Sequence, residues 1–414
     1  MFHSLVRHGI IFVLGLPLLF AGSLYSDSVT AKVFYAAILN NDLNTIKAYL
    51  AGGGDVNARD EAGQNALQTA ASLGSTGIVA LLLQNGADKN ATNSWGQNAL
   101  MLSAYSGHLE SVELLLRSRA EVNTADKRSL TALMCAAKEG HPLTARALLR
   151  SGATVNFRNA SGWTALMYAA QRNHPRTIRM LRAYGASTMG YTNAVLLGAA
   201  ERGEPKRVKD MLRKGGDPNF KSDDQWTPLI LAAMRDRDYT AAWIWDEKSE
   251  RMIPYQTGKP PQKPSTGDYF QVIRTLIEAG ANVNRRGWAG SFPLMYAFIP
   301  DAADLLIRCG ADVNAQDDAG NTALLMAAMD DPSGDVVQRL LQAGARVNVS
   351  AKNGATPLHL AAMTGKYSVV KMLIASGADP HAKDANEKTP LMYAEENHNE
   401  RLAQLLRDAQ AKQQ

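Results

Sequence analysis

An asparagine that returns at a nearly constant interval constrains this 414-residue chain more than any other feature. The series advances in steps of 33 residues and resumes later with steps of 34 and 33, at Asn57, Asn90, Asn123, Asn156, Asn314, Asn348 and His381. A glycine stands four residues ahead of several members, at Gly86, Gly152, Gly310, Gly344 and Gly377. A fixed period of this length indicates a repeat architecture, in which each unit buries its apolar faces only against its neighbours.

The most regular unit, residues 353–380, has the pattern of two helices joined by a tight turn. Thr356 is a residue type that caps helices, and Pro357 fits the first helical turn because its missing N–H is not needed there. A narrow apolar face follows at 358–362, and a wider aliphatic stripe at 369–374. Gly377 supplies the left-handed residue that ends a helix.

The motif Thr-Pro-Leu-His-x-Ala-Ala at Thr356 and the motif Gly-Ala-Asp at Gly377 resemble those of the ankyrin-repeat family. The resemblance extends over about residues 30–410 in eleven copies. It implies an all-α solenoid of about eleven stacked helix-turn-helix units, with β-hairpin or loop fingers between them. It also implies a protein that binds other proteins.

Residues 1–26 are expected to be a targeting segment and not part of the fold. Arg7 and His8 precede an uncharged, mostly apolar run, which ends in the small residues Ala21, Gly22 and Ser23. This order is typical of a secretory signal peptide. We expect export to the periplasm or out of the cell, as in exported bacterial ankyrin proteins; an uncleaved inner-membrane anchor is the alternative.

Two departures from the period predict the domain organisation. The spacing shrinks to 30 residues between Ala170 and Ala200, which predicts a break near residue 190 between a first sub-array, 27–190, and a second, 191–414. The second contains about 32 extra residues, at about 238–268, between the two helices of one repeat. Insertions in solenoids become loops on one face, often the binding face. A later repeat is three residues short and has Pro300 at its inter-helix turn.

No residue pattern favours catalysis, a cofactor or a metal site. His108, His141 and His174 recur every 33 residues, but equivalent positions of stacked helices lie roughly 10 Å apart, and zinc ligands must lie about 2.0–2.1 Å from one ion. We expect each histidine to serve the turn of its own repeat. Asp223 and Asp224 are interpreted as exposed turn formers.

The charge is concentrated in the centre of the chain. Residues 126–221 contain 17 Lys and Arg against 6 Asp and Glu, and residues 141–200 contain no acidic residue. A solvated helix face normally mixes both signs, so this segment predicts a partner with an acidic surface. Anionic lipid remains an alternative partner. Nucleic acid is not expected, because no base-reading motif is present.

In ankyrin proteins the partner usually contacts the inner, concave helix row and the hairpin tips. Carried over to this chain, the resemblance and the insertion select Trp95, Tyr105, Lys127, Arg128, Lys138, Arg158, Trp163, Arg172, Arg202, Trp226, Trp243 and Trp245 as binding candidates. Tryptophan, tyrosine and arginine are enriched at binding hot spots; alternatively, the tryptophans pack one hairpin on the next. We expect a monomeric, non-catalytic scaffold. A membrane-associated structural protein, an immunity protein that neutralises a toxin and a secreted effector remain alternatives.

Overall fold

A computed structural model describes residues 27–60, 63–235, 243–246, 251–254, 268–331 and 333–412. The predicted signal segment, 1–26, therefore lies outside the described residues. None of the described helices is both long enough and apolar enough to cross a bilayer.

The described chain forms eleven helix pairs, as predicted from the repeat. The first helix of each pair is α1 (Asp27–Leu39), α3 (Ala66–Leu73), α5 (Ala99–Ser106), α7 (Ala132–Glu139), α9 (Ala165–Gln171), α11 (Tyr191–Glu201), α13 (Pro228–Arg235), the 3-10 helix Pro293–Tyr296, α16 (Ala323–Asp330), α18 (Pro357–Met363) or α20 (Pro390–Glu396). The second helix is α2 (Leu43–Ala51), α4 (Thr76–Gln84), α6 (Leu109–Arg117), α8 (Pro142–Arg150), α10 (Pro175–Ala183), α12 (Pro205–Arg213), α14 (Tyr269–Glu278), α15 (Pro300–Arg308), α17 (Asp335–Gln342), α19 (Tyr367–Ala375) or α21 (Glu400–Lys412).

The helices lie in two rows. First helices pack on first helices of neighbouring repeats, as α5, α7, α9 and α11 do, and second helices follow one another in a second row that includes α6, α8 and α10. A continuous apolar core between the rows extends from Phe34 to Leu406. Its first-helix side is rich in alanine, as at the fully buried Ala136 and Ala169, and this lets neighbouring helices approach closely.

The periodic asparagine is a clamp between repeats. Asn123 Oδ1 accepts a hydrogen bond from the Thr154 backbone N–H at 2.8 Å, and its Nδ2 donates to the Gly152 carbonyl at 3.0 Å. The same pair of bonds recurs at Asn156, Asn219, Asn284, Asn314 and Asn348. The asparagine therefore recurs because one side-chain amide satisfies the loop after the second helix of the next repeat.

A tight loop, here called a finger, precedes most first helices. The fingers are residues 60–64, 93–97, 126–130, 159–163, 222–226, 287–291, 317–321, 351–355 and 384–388, and each is closed by a backbone N–H to carbonyl bond between its end residues. Neighbouring fingers are also joined by backbone, as where Lys127 N–H donates to the Trp95 carbonyl at 3.0 Å.

The departures from the period become local changes in this plan. Between α10 and α11, residues 184–190 replace the finger, although α11 packs on both α9 and α13. Whether the chain divides into two sub-arrays at residue 190 stays a prediction. In the short repeat a 3-10 helix replaces the first α-helix, and Pro300 is the first residue of α15.

The predicted insertion, at about 238–268, falls between α13 and α14. Within it the structure describes a two-stranded antiparallel hairpin, β1 (Trp243–Asp246) and β2 (Arg251–Pro254), which pairs Trp243 with Pro254 and Trp245 with Met252. Asp268 belongs to the repeat and not to the insertion. Its carboxylate accepts from the Gln271 N–H as the N-cap of α14, and its own N–H donates to the Gly203 carbonyl.

Candidate partner-binding surface

Three of the predicted binding residues come together on the first-helix row. Tyr105 on α5, Lys138 on α7 and Arg172 at the end of α9 lie near the C-termini of helices that pack side by side. Tyr105 is 39 % exposed, Lys138 is half-buried and Arg172 is exposed. The Lys138 ammonium lies 5.8 Å from the centroid of the Tyr168 ring. This group presents an aromatic ring and two cations on one stretch of surface.

An acidic residue, Glu139, interacts with the tyrosine of this group. Burial, together with the charge and hydrogen bond of Glu139, raises the pKa of Tyr105, while the charge of Arg172 acts in the opposite direction. The acidic residue is thus engaged with the tyrosine hydroxyl. Within the described residues Lys138 and Arg172 form no ion pair.

Trp163 corrects the prediction for this position. Its side chain is 1 % exposed, and its ring packs against Tyr168 at 5.2 Å and Phe220 at 6.1 Å between centroids. The ring lies in the core because it closes the finger 159–163 onto α9. It has no surface to offer a partner, so here the alternative interpretation, packing within the array, is the right one.

The other finger tryptophans differ in exposure. Trp226 is half-buried and lies 6.2 Å from both Trp288 and Tyr296. Trp95 is 41 % exposed. Trp288, which the sequence did not single out, is 62 % exposed on the next finger after Trp226. The position of Trp288 at a finger tip would have identified it. This signal was missed because the following repeat is three residues short, which obscured the alignment.

Arg128 is exposed but forms an ion pair within the molecule. Its Nη2 lies 3.0 Å from Asp223 Oδ2 and 2.6 Å from Asp224 Oδ1, so two fingers distant in sequence are joined by an ion pair. The contact is available because the repeat between Tyr168 and Asp223 has no finger of its own. Arg128 is thereby positioned by an internal partner and is less free to meet an external one.

Asp223 is the second correction, since it is not an exposed turn former. Its side chain is 8 % exposed and accepts from the Tyr168 hydroxyl at 2.5 Å and from Asn159 Nδ2 at 2.8 Å. Burial acts to raise the pKa of Asp223, but hydrogen bonds from Tyr168 and Asn159 and the charge of Arg128 together hold it below the ordinary value. We call Arg128, Asn159, Tyr168 and Asp223 the clasp.

Two further arginine candidates make contacts within the array. Arg158 donates from Nη1 to the Gly162 carbonyl at 2.8 Å, and its Nη2 lies 3.1 Å from Met189 Sδ. Arg202 donates to the Gln171 carbonyl at 2.8 Å and pairs with Glu204 at 2.9 Å. Both residues position neighbouring repeats, whatever else they bind.

The remaining candidates are placed as follows. Lys127 is exposed at the tip of the finger 126–130. Trp243 and Trp245 lie in β1, but their side chains lie outside the described residues, so the prediction for them stays open. Most of the insertion is likewise outside the described residues.

The rings of the three periodic histidines contact the preceding repeat and make no side-chain cap hydrogen bond to the helix that follows them, which corrects the expectation that each serves the turn of its own repeat. Nε2 of His108 lies 3.1 Å from the Ser72 carbonyl, and His141 and His174 make the equivalent contacts at 3.1 Å and 3.0 Å. Each ring lies over a glycine of positive φ. At Gly74, for example, a Cβ would lie 2.5 Å from the His108 ring, so glycine is required there.

Comparison with known proteins shows similarity over parts of the chain. It is 29 % identical over 127 residues to "Putative ankyrin repeat protein FPV230" of fowlpox virus (strain NVSL), covering 30 % of this chain and 66 % of the viral protein. It is 43 % identical over 75 residues to the "Putative E3 ubiquitin-protein ligase XBAT34" of Arabidopsis thaliana, covering 18 % and 20 %. It is 39 % identical over 72 residues to the human "2-5A-dependent ribonuclease", covering 17 % and 10 %. The chain thus spans less than two thirds of each relative.

A family model described as "Ankyrin repeats (3 copies)" matches residues 33–126, 118–190, 294–384 and 324–414. These matches cover about two thirds of the chain and fall on the helix pairs and fingers described above. The chain belongs to the ankyrin-repeat family, whose stacked repeats form scaffolds for protein–protein interaction.

Proposed function

We propose that this chain is a non-catalytic scaffold that captures a protein with an acidic surface on the first-helix row of repeats three to five. The observation that carries the proposal is the group of Tyr105, Lys138 and Arg172. An aromatic ring with two neighbouring cations is the composition of a binding hot spot. Trp95, on the finger before α5, adds a second exposed aromatic ring to the same repeat as Tyr105.

The positive charge of this part of the chain favours a negatively charged partner. Repeats four and five, which contribute Lys138 and Arg172, lie in the segment 126–221, which contains 17 basic and 6 acidic residues. A field of one sign speeds the association of an oppositely charged partner, and salt screens it. Arg158 and Arg202 contribute to this field although their guanidinium groups are hydrogen-bonded.

Export belongs to the same proposal and rests on the sequence of residues 1–26. An exported, monomeric scaffold would meet its partner in the periplasm or outside a bacterial cell. An immunity protein that blocks a toxin and a secreted effector fit such a scaffold as well, and the identity of the captured partner distinguishes them.

Site-specific photocrosslinking in the native cell tests the proposal. A photoreactive residue replaces Tyr105 in one variant and Lys371, on α19 in the second-helix row, in a matched control. We expect one protein with an acidic surface to be trapped at position 105 and not at 371. Equal trapping at both positions would contradict the proposed surface.

Charge reversal then tests the electrostatic part. Lys138→Glu with Arg172→Glu should slow association with the trapped partner at least tenfold, and added salt should reduce the wild-type rate towards that of the variant. Both substitutions lie at exposed or half-exposed sites, so circular dichroism should show an intact array. Association that responds to neither salt nor reversal would leave the cations with no role in binding.

A further inference from the structure

The second-helix row has a basic face that the proposed function does not use. On α8, α10 and α12 the solvent-facing positions of the helix hold exposed residues of one sign, with one leucine and one alanine among them. They are Leu143, Arg146, Arg150, Arg176, Arg179, Ala183, Lys206, Lys209 and Arg213. Arg182, also exposed, lies with its guanidinium 4.5 Å from the Tyr191 ring centroid. We call Arg146, Arg150, Arg176, Arg179, Lys206, Lys209 and Arg213 the outer basic face.

The charge is confined to these three helices. On α6, the same positions hold Glu110, Glu113 and Arg117, and on α15 they hold Asp301, Asp304 and Arg308. Other helices of the row therefore carry mixed charges or, as on α2 and α19, a single lysine. The outer basic face is a local feature and not a property of the repeat.

The outer basic face is not neutralised from within. Among the described residues none of its seven cations forms an ion pair. The acidic side chains on and just before α12 are engaged with other cations: Asp210 lies 2.7 Å from Lys214, and Glu204 pairs with Arg202. The face therefore presents its charge to the solvent.

Its shape is broad and shallow. α8 packs on α10, and α12 is joined to the preceding repeat by Arg207, whose Nη1 donates to Asn173 Oδ1 at 3.0 Å. Neighbouring helices lie roughly 8–10 Å apart, and a nine-residue helix is about 13 Å long. The cations of α8 and α10 are thus spread over an area of about 10 Å by 13 Å, and those of α12 extend it along the row.

An apolar contact point lies at its edge. Leu143 on α8 is 53 % exposed. It borders a shallow groove of about 340 Å³ between α6 and α8, which is lined by Leu109, Leu116, Ala147, Glu113, Arg117, Arg146, Arg150, Leu143 and Ser151. An exposed leucine beside arginines suits a boundary where anionic groups give way to hydrocarbon.

We propose that the outer basic face docks the array on a membrane surface rich in anionic phospholipid. A bilayer is broad and uniformly negative, whereas a protein surface mixes signs and would have to match seven separate cations. Each Lys or Arg near an anionic bilayer strengthens binding by about fivefold, and arginine pairs with phosphate through two parallel hydrogen bonds. Because the face lies on the second-helix row, docking leaves Tyr105 and Arg172 accessible and does not depend on the proposed function.

Vesicle sedimentation tests the docking. The full chain is mixed with vesicles of phosphatidylcholine alone, or with about one third phosphatidylserine. The test variant is Arg146→Glu, Arg179→Glu, Lys209→Glu. The control variant is Lys47→Glu, Arg274→Glu, Lys371→Glu, which changes the same helix position on α2, α14 and α19 by the same charge. Residues 1–26 are identical in all three proteins, so any binding they cause cancels in the comparison.

We expect the test variant to bind phosphatidylserine vesicles at least a hundredfold more weakly than the wild type, and the control less than tenfold more weakly. Thermal unfolding checks that both variants are folded. In the wild-type background, Leu143→Asn should also weaken binding to phosphatidylserine vesicles, but the dependence of binding on salt should stay the same. Equal losses in the test and control variants would overturn the proposal. The proposal would also be overturned if the wild type did not bind the vesicles but bound polyglutamate, and the test variant lost that binding. The outer basic face would then bind an acidic protein.

Discussion

At the scale of single residues, the first residue of a finger determines whether a tyrosine hydroxyl bonds within its own repeat or to another repeat. In the last repeat Asp384, the first residue of its finger, accepts from the Tyr393 hydroxyl of the same repeat at 2.5 Å. In the fifth repeat the same finger position is Asn159, whose Nδ2 donates to Tyr168. Because the amide donates, the Tyr168 hydroxyl has its own proton left for another acceptor, and it finds Asp223 in the seventh repeat.

Removing the Asp223 charge should weaken the array. Asp223→Asn removes the carboxylate to which the Tyr168 hydroxyl donates and leaves Arg128 paired with Asp224 alone, and hydrogen bonds to charged groups are worth about 1.5–3 kcal/mol. We expect the free energy of unfolding in urea to fall by about 2 kcal/mol. The matched control is Asp224→Asn, a 52 % exposed partner of the same arginine, which should cost about 0–1 kcal/mol. Equal losses would show that burial of Asp223 is unimportant.

The same pair of variants predicts a pH dependence. The pKa of Asp223 is lower in the folded protein than in the unfolded chain, so its contribution is complete above the unfolded pKa of about 4. It is lost as the pH falls through the folded value. The stability gap between wild type and Asp223→Asn should therefore be constant from neutral pH to about pH 5 and close below pH 4. A gap that persists at the acid end would contradict the assignment.

The asparagine clamp makes a prediction of its own. Asn123→Ala removes one bond to the Thr154 N–H and one to the Gly152 carbonyl, and we expect a loss of about 1–2 kcal/mol in urea unfolding. Asn85→Ala is the control, because Asn85 donates only to the Leu81 carbonyl of its own helix. If both alanine variants lose the same stability, the periodic residue is not a clamp.

At the scale of elements, the irregular repeats preserve stacking and change what lies around it. The sixth repeat has no finger, and the finger 222–226 of the seventh repeat contacts Tyr168 and Arg128 of earlier repeats instead. The eighth repeat shortens its first helix to one 3-10 turn but keeps Leu294 and Met295 buried. The seventh repeat accepts an insertion between α13 and α14, and both helices keep buried residues such as Leu229 and Val272.

Deletion of the insertion should therefore spare the fold. We expect a short Gly-Ser turn in place of 238–267 to change the free energy of unfolding by less than about 1 kcal/mol, because loop closure depends only weakly on length. Partner binding should weaken. Asp268 must be retained, since Asp268→Ala removes the N-cap of α14 at a cost of about 1 kcal/mol. A large loss of stability on deletion would mean that the insertion covers part of the core.

At the scale of the whole molecule, one basic segment of the sequence becomes three structural groups. Lys138 and Arg172 lie on the first-helix row, and seven cations form the outer basic face. Arg128 forms an ion pair with Asp223 in the clasp. The sequence alone treated them as one patch. Folding separates them because the two helices of each repeat expose different sides.

Processing of the N-terminus is a prediction about the whole chain. A short apolar run followed by small residues predicts that the exported protein starts at Leu24 or Asp27. Intact-mass spectrometry of protein from the periplasm or the medium measures this directly. Met1 retained on protein that sediments with membranes would support the uncleaved anchor instead.

The sequence by itself determined the repeat, its helix pairs and their number, since capping residues, glycines and apolar spacing act within about 33 residues. Only the tertiary structure decided which polar residues were free to bind. Trp163 and Asp223 were misjudged because each packs against residues of another repeat, Trp163 against Phe220 and Asp223 against Tyr168 and Asn159. Trp288 was missed because the following repeat is three residues short, which hid its alignment. Local patterns encode local structure, whereas exposure is set by contacts between residues that are far apart in the chain.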